Sequence, residues 1–278
     1  MRHGLKLFVV MAALAVLFAL GCGQAEQKKA EESAPAQEQT AETTVEQAAE
    51  EAPAMPEIVF ASDCTWPPME FLDADKNIIG FCPELVKAMG EVGGFTPVIK
   101  NTAWDGIFAG LAAGKYDVIA SSVSITEERK AKMDFSDPYF EVKQGVLVQK
   151  DSGIDSVEDL SGKSIGAQIG TTGYFAAGSI EGAEAKSYDE VGLAVEDLFN
   201  GRIDAAICDD SVAYDYALQN ERYKEQLSLA FIIDTDKKEY LGFAVQKGDA
   251  QTVQILNEAL AKVKASGKYD EIYAKWFE

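Results

Sequence analysis

Residues 57–278 predict an α/β fold, because short β-rich runs alternate with amphipathic helical stretches and the alternation restarts in the second half of the chain. A third observation agrees: the residues suited to ligand chemistry fall at the carboxyl ends of predicted strands, the edge where ligands bind in open α/β sheets. The first unit has strands over 57–61, 97–100 and 116–121, with helices over 83–92 and 105–113. Pro83 suits a first helical position, Gly93, Gly94 and Gly114 suit helix stops, and Leu85, Val86, Met89 and Gly90 share one stripe at helical spacing. The run 139–149 alternates, carries Glu141, Lys143 and Gln144 in its middle, and reads as a connection. A second unit follows, with a strand over 164–168, a helix from Thr172, a helix over 190–200 and a strand over 204–208. A strand over 241–246 and helices over 250–265 and 269–277 complete the order, without an internal repeat or a heptad pattern.

The segment Ala120-Ser-Ser-Val-Ser-Ile-Thr-Glu-Glu-Arg129 runs from a strand end through hydroxyl side chains into a helix start. Free N–H groups, neutral hydroxyls and the planar fork of Arg129 together suit a carboxylate. Asp209 and Asp210 end the apolar run 205–208 and offer the opposite charge, so the two segments suit a zwitterion. Each also has a plainer explanation: Arg129 stands in a charged run over 127–132, and either aspartate suits the cap of a helix beginning near Ser211. Their shared placement favours a site, together with Asp63 and Trp66 after the first strand and the Gly170–Gly173 turn after the strand ending at Gln168.

The chain opens with Arg2, His3 and Lys6 and an apolar stretch over 7–20, shorter than the roughly 20 residues a spanning helix needs. It reads as a secretory signal over 1–21. Its end, Phe18-Ala-Leu-Gly-Cys22, resembles the bacterial lipoprotein box, with Ala19 and Leu20 departing from the usual residues, and that resemblance implies lipidation at Cys22. Residues 23–56 hold no aromatic residue, three prolines and a net charge of −6, the composition of an extended, self-repelling tether. Of the chain's net charge of −21, this leaves −17 on the body once the two leader cations are set aside, which disfavours nucleic acid. The single histidine, His3, lies in the leader, so the body has no imidazole nucleophile partner, metal ligand or general base. Cys64 follows the first strand and Cys82 opens the first helix, near one end of the same sheet. A disulfide and a pair of buried thiols both fit there, and an oxidising compartment favours the disulfide. Cys208 reads as a core thiol. Gly162-Lys-Ser164 lacks the phosphate-loop glycine, Val157 standing in its place, and precedes a strand; neither it nor the Gly170–Gly173 turn supports nucleotide binding.

Several blocks in order carry a wider resemblance: SDCTWPPMEF over 62–71, IGF over 79–81, AWDG over 103–106, GKYDV over 114–118, SSVSITEER over 121–129, DFSDPY over 134–139, GTT over 170–172, NGRID over 200–204 and GKYDEIYAKWF over 267–277. Across nearly all of 57–278 the chain resembles the soluble binding proteins of bacterial ABC importers for polar amino acids. That resemblance implies a two-lobed periplasmic-binding-protein fold of type II, each lobe a mixed sheet flanked by helices, joined by two crossing hinge strands. Lobe one would combine 57–142 with 242–278, and lobe two would span 143–241. It implies that Arg129 grips a ligand α-carboxylate with the backbone at Ser124 and Thr172. Asp209 and the Ser124 hydroxyl would take the α-ammonium, with Ser121 and Ser122 nearby. Trp66 and Trp104 match positions that flank the ligand side chain, and Asp63 and Gln168 match positions that reach its tip. Two rings and an acid suit arginine or lysine first, then glutamine or histidine. The expected partners are an L-amino acid, the permease subunits of an ABC transporter and, through the lipid, the outer face of the cytoplasmic membrane, with the protein a monomer and no cofactor or metal required.

Two alternatives stand beside it. An enzyme on the same scaffold, such as a dehydratase of amino-acid precursors, would need Asp63, Asp209 or a lysine as its acid or base. A ligand sensor would have to act through a separate receptor.

Overall fold

The computed structural model describes residues 55–278 apart from residue 236. The expected signal over 1–21, Cys22 with its lipid and the tether up to residue 54 lie outside the described residues.

Two five-stranded sheets form the cores of two lobes, and they share one plan. In the first, the order is Thr96–Asn101, Glu57–Ser62, Val118–Ile119, Ala244–Gln246, Met133–Phe135. The first three strands are parallel, and Ala244–Gln246 runs antiparallel to both its neighbours. In the second, the order is Glu184–Tyr188, Ser164–Gln168, Ala205–Asp209, Gln144–Gln149, Leu227–Ile233. Again three strands are parallel, and Gln144–Gln149 is antiparallel to both neighbours. In each sheet the fourth strand in the order arrives directly from the connection between the lobes.

That connection is a two-stranded antiparallel ribbon, Phe140–Val142 against Glu239–Leu241. The expected continuous strands over 139–149 and 241–246 are each interrupted, at Lys143 and at Gly242–Phe243. The physical reason is that one half of each run pairs in the ribbon and the other half pairs in a sheet, so the chain must turn between them. Phe140 anchors the ribbon to the first lobe, packing at 5.3 Å from Phe81 and 5.1 Å from Phe277.

Helix Phe81–Gly93 buries Leu85, Val86, Ala88 and Met89 against the first sheet and packs on Ala250–Ala265 and Lys268–Phe277. Its start is fixed by Gly80 at φ 126°, where an added Cβ would collide with the Met69 carbonyl oxygen. Such a backbone conformation is almost confined to glycine. Helices Thr172–Ser179 and Val191–Phe199 cover the second sheet, the latter through Val191, Ala194, Val195 and Leu198.

The strands not foreseen are the edge strands Met133–Phe135, Glu184–Tyr188 and Leu227–Ile233, and a small sheet of Thr65–Trp66, Glu70–Leu72 and Ile78–Ile79. Glu184–Tyr188, with the sequence EAKSY, is half exposed and lacks the apolar alternation of a strand with a buried face.

The disulfide expected between Cys64 and Cys82 is not formed; both are buried free thiols. Each has its own partner: the Cys64 thiol faces the Ser62 carbonyl oxygen at 3.5 Å, and the Tyr139 hydroxyl donates to Cys82 Sγ at 3.9 Å. Burial pushes the Cys64 thiol up to about 12 and Cys82 well above the usual range, and the Glu70 carboxyl adds to both shifts. Both thiols therefore remain protonated and unreactive. Cys208 is buried in the core, as its surroundings in the sequence suggest.

Candidate functional site

Four strand ends converge between the lobes. From the first sheet, Glu57–Ser62 delivers Asp63, and Val118–Ile119 leads into Ser121, Ser122 and Ser124. Ser122 adopts φ 45°, which turns the chain sharply before the short helix Glu127–Lys130. Thr126 caps that helix, its Oγ1 accepting from the Arg129 amide at 3.2 Å. From the second sheet, Ser164–Gln168 leads through Gly170 to helix Thr172–Ser179, capped by Thr171, and Ala205–Asp209 presents its last residue.

Trp66, Trp104, Ser121, Ser122, Ser124, Arg129, Thr172 and Asp209, all singled out in the sequence, line one cavity, and Thr171 joins them. The enclosed volume is about 10 Å³, room for roughly one water molecule. Asp63 and Gln168 stand at its edge: the Trp66 indole donates to Gln168 Oε1, and Gln168 Nε2 donates to Asp63 Oδ2 at 2.7 Å. These contacts cross from one lobe to the other, as does the Trp104 indole bond to the Ile169 carbonyl oxygen at 2.9 Å.

The half-buried Arg129 donates to the carbonyl oxygens of Ser124 at 2.9 Å and Gly170 at 3.1 Å, one in each lobe. Its guanidinium lies 5.2 Å from the Phe108 ring and 5.6 Å from Trp104. Burial lowers its proton affinity, opposed by the charges of Glu239 and Asp209. Asp209 is 3 % exposed, and burial followed by the charge of Glu239 pushes it up to about 8. Asp63, also 3 % exposed, is raised chiefly by burial. Among the described residues no ion pair includes Arg129, Asp209 or Asp63.

Four polar residues at the site escaped the sequence reasoning. Thr171 lines the cavity while its hydroxyl donates to the Gln168 carbonyl oxygen at 2.7 Å. Glu70 is fully buried beneath it, raised well above the carboxylate range by burial, and accepts from the Ser122 hydroxyl at 3.0 Å. Gln144, at the start of its sheet strand, donates through Nε2 to Asp209 Oδ1 at 3.0 Å and to Glu239 Oε2 of the hinge ribbon at 3.1 Å, so Glu239 reaches Asp209 through the Gln144 amide. The only sequence signal for Gln144 was a polar residue in the middle of an alternating run.

Two sheets of one plan, a paired-strand hinge and a polar crevice between them define a solute-binding protein. The chain belongs to the bacterial extracellular solute-binding proteins, family 3, whose model matches residues 58–278. It is 39 % identical over 222 residues to a probable histidine-binding protein of Neisseria gonorrhoeae, covering 78 % of this chain and 81 % of the relative. Among solved structures it is similar to an ancestral arginine-binding protein bound to arginine, at 36 % identity and a TM-score of 0.75, covering 81 % of this chain and 100 % of that one. It is also similar to the arginine-, lysine-, histidine-binding protein of Geobacillus stearothermophilus, at 37 % identity and a TM-score of 0.73, covering 80 % and 95 %.

Proposed function

We propose that the protein captures an L-amino acid between its lobes, a basic one in preference, and delivers it to an ABC importer. The observation that carries this is the guanidinium of Arg129 lining the same small cavity as the carboxylate of Asp209, one from each lobe and neither in an ion pair among the described residues. A withdrawn charge without a partner costs several kcal/mol, so each calls for an opposite charge, and the two ends of a zwitterion supply both. Arg129 takes the α-carboxylate with the backbone N–H groups at Ser124 and Thr172. Asp209 and the Ser124 hydroxyl take the α-ammonium, with Ser121 and Ser122 beside them.

Those two pairings leave Asp63 over, buried and without a cation, next to Trp66 and Gln168. A side-chain cation supplies the missing charge, with Trp66 and Trp104 as its aromatic walls. This favours arginine or lysine, with histidine or glutamine next; the relatives are named for histidine, for arginine, and for arginine, lysine and histidine together, which supports a basic ligand. The lobes must part to admit any of them, since the enclosed space is far below the size of an amino acid. The leader and Cys22 complete the proposal: export, cleavage and a lipid anchor that holds a monomeric receptor near its permease.

Native mass spectrometry and thermal shift against an amino-acid panel test this. Arginine, lysine or histidine at a thousandfold excess over Kd adds about 4 kcal/mol, on the order of 10 °C in Tm, while sugars and nucleotides add nothing. Tight binding of apolar amino acids alone refutes the basic preference, and conversion of any bound compound establishes the enzyme alternative.

A further inference from the structure

Behind Asp209 the hydrogen bonds do not balance. Gln144 stands directly opposite Asp209 in the neighbouring antiparallel strand, and its Nε2 has three acceptors: Asp209 Oδ1 at 3.0 Å, Glu239 Oε2 at 3.1 Å and Thr172 Oγ1 at 3.2 Å. An amide nitrogen carries two hydrogens, so the three bonds cannot all be good ones. Gln144 Oε1 and Glu239 Oε1 are buried without any partner. Turning the amide over would only set its oxygen against two carboxylates.

The charges do not balance either. Asp209 is faced by Glu239 from the returning hinge strand, by its sequence neighbours Asp210 and Cys208, by Glu70 from the small sheet, and by the cation of Arg129, while Lys143 faces Asp210. Arg129 also faces Glu239, but its assigned bonds go to backbone carbonyls. Two carboxylates on one neutral amide lack a positive charge, and a proton or an ammonium can supply it.

Building on the amino-acid proposal above, we infer that Glu239 is a further functional residue: with Asp209 it forms a carboxylate pair, bridged by Gln144, that opposes lobe closure until a ligand ammonium or a proton neutralises it. Only Asp209 of the pair touches the cavity, so Glu239 acts through it as a positioning and charge-setting residue. The consequence is selectivity exerted at closure, against anions and neutral molecules that would otherwise fit.

The sign of the pH effect follows from Asp209, raised from 3.8 to about 8 in the closed arrangement. Burial is the main cause of the rise, so Asp209 holds its proton more tightly closed than when opening lets water reach it; closure without ligand therefore takes up a proton and becomes easier as pH falls from about 8. The test is the full-length chain carrying one dye per lobe, with energy transfer read between pH 8 and pH 5, and with affinities for L-arginine and for 5-guanidinopentanoate, which lacks the α-ammonium. The wild type closes progressively without ligand as pH falls. Glu239→Gln is already more closed at pH 8, and its discrimination between the two compounds drops at least roughly tenfold. Glu239→Asp, which keeps the charge, retains most of both behaviours and controls for folding. A Glu239→Gln protein with the wild-type pH profile and wild-type discrimination overturns the inference. Should arginine fail to bind the wild type, the amino-acid proposal falls, while the pH profiles still decide the role of Glu239.

Discussion

At the scale of single residues, the site rests on charges held without ion-pair partners. Arg129→Ala removes the carboxylate fork, and affinity for every amino acid falls by about 3 kcal/mol, roughly a hundredfold, in calorimetric titration. Asp63→Asn is expected to act differently, because the proposed binding mode gives Asp63 no part in holding the α-groups: arginine weakens about tenfold while glutamine stays within about threefold. A uniform loss across both ligands would show that Asp63 braces the turn through Thr65, whose hydroxyl donates to it at 3.0 Å. Asp63, Trp66, Arg129 and Asp209 were legible in the sequence because strand ends in an α/β fold gather at one edge, and Trp104 through the family resemblance. Glu70 and Glu239 were not, since Glu70 lies in a short strand of a small sheet and Glu239 in a hinge ribbon. Neither element carries a periodicity long enough to reveal where its side chains go.

At the scale of elements, the amphipathic helices followed from spacing together with proline and glycine boundaries, and the buried parallel strands from their apolar runs. Ser164–Gln168 forms over the residues expected of it. What spacing could not supply was the division of the runs 139–149 and 241–246 between hinge and sheet, because both halves pair as strands and alternation alone does not say with which partner. Lys143 marks one break, and its side of the turn opens the strand that carries Gln144. The start of helix Phe81–Gly93 depends on Gly80, where backbone conformation and close approach to Met69 both demand a missing side chain. Gly80→Ala is expected to cost about 3 kcal/mol, lowering Tm by roughly 10 °C in scanning calorimetry, with a ligand-induced shift still present.

At the scale of the molecule, the repeated sheet plan sets the function. Opposite walls of the crevice come from separate bodies, so a ligand that bonds both walls favours their approach. X-ray scattering should report a smaller radius of gyration with arginine than without it, and Arg129→Ala should abolish that compaction. The body's charge of −17 adds a long-range attraction for cations that salt weakens, so association of arginine slows as ionic strength rises while a neutral ligand is little affected.

The ribbon between the lobes has a topological consequence. Val142 and Glu239 are paired neighbours, so everything from 143 to 238 leaves and rejoins the rest of the chain at adjacent points. The second lobe is thereby a contiguous insert on a two-stranded stalk. A lobe of that kind can be exchanged as a cassette between relatives, carrying Asp209 and Gln168 with it while Arg129 and Asp63 stay behind. On the proposed binding mode, part of the recognition chemistry would travel and part would remain, so ligand preference would combine contributions from two separable parts.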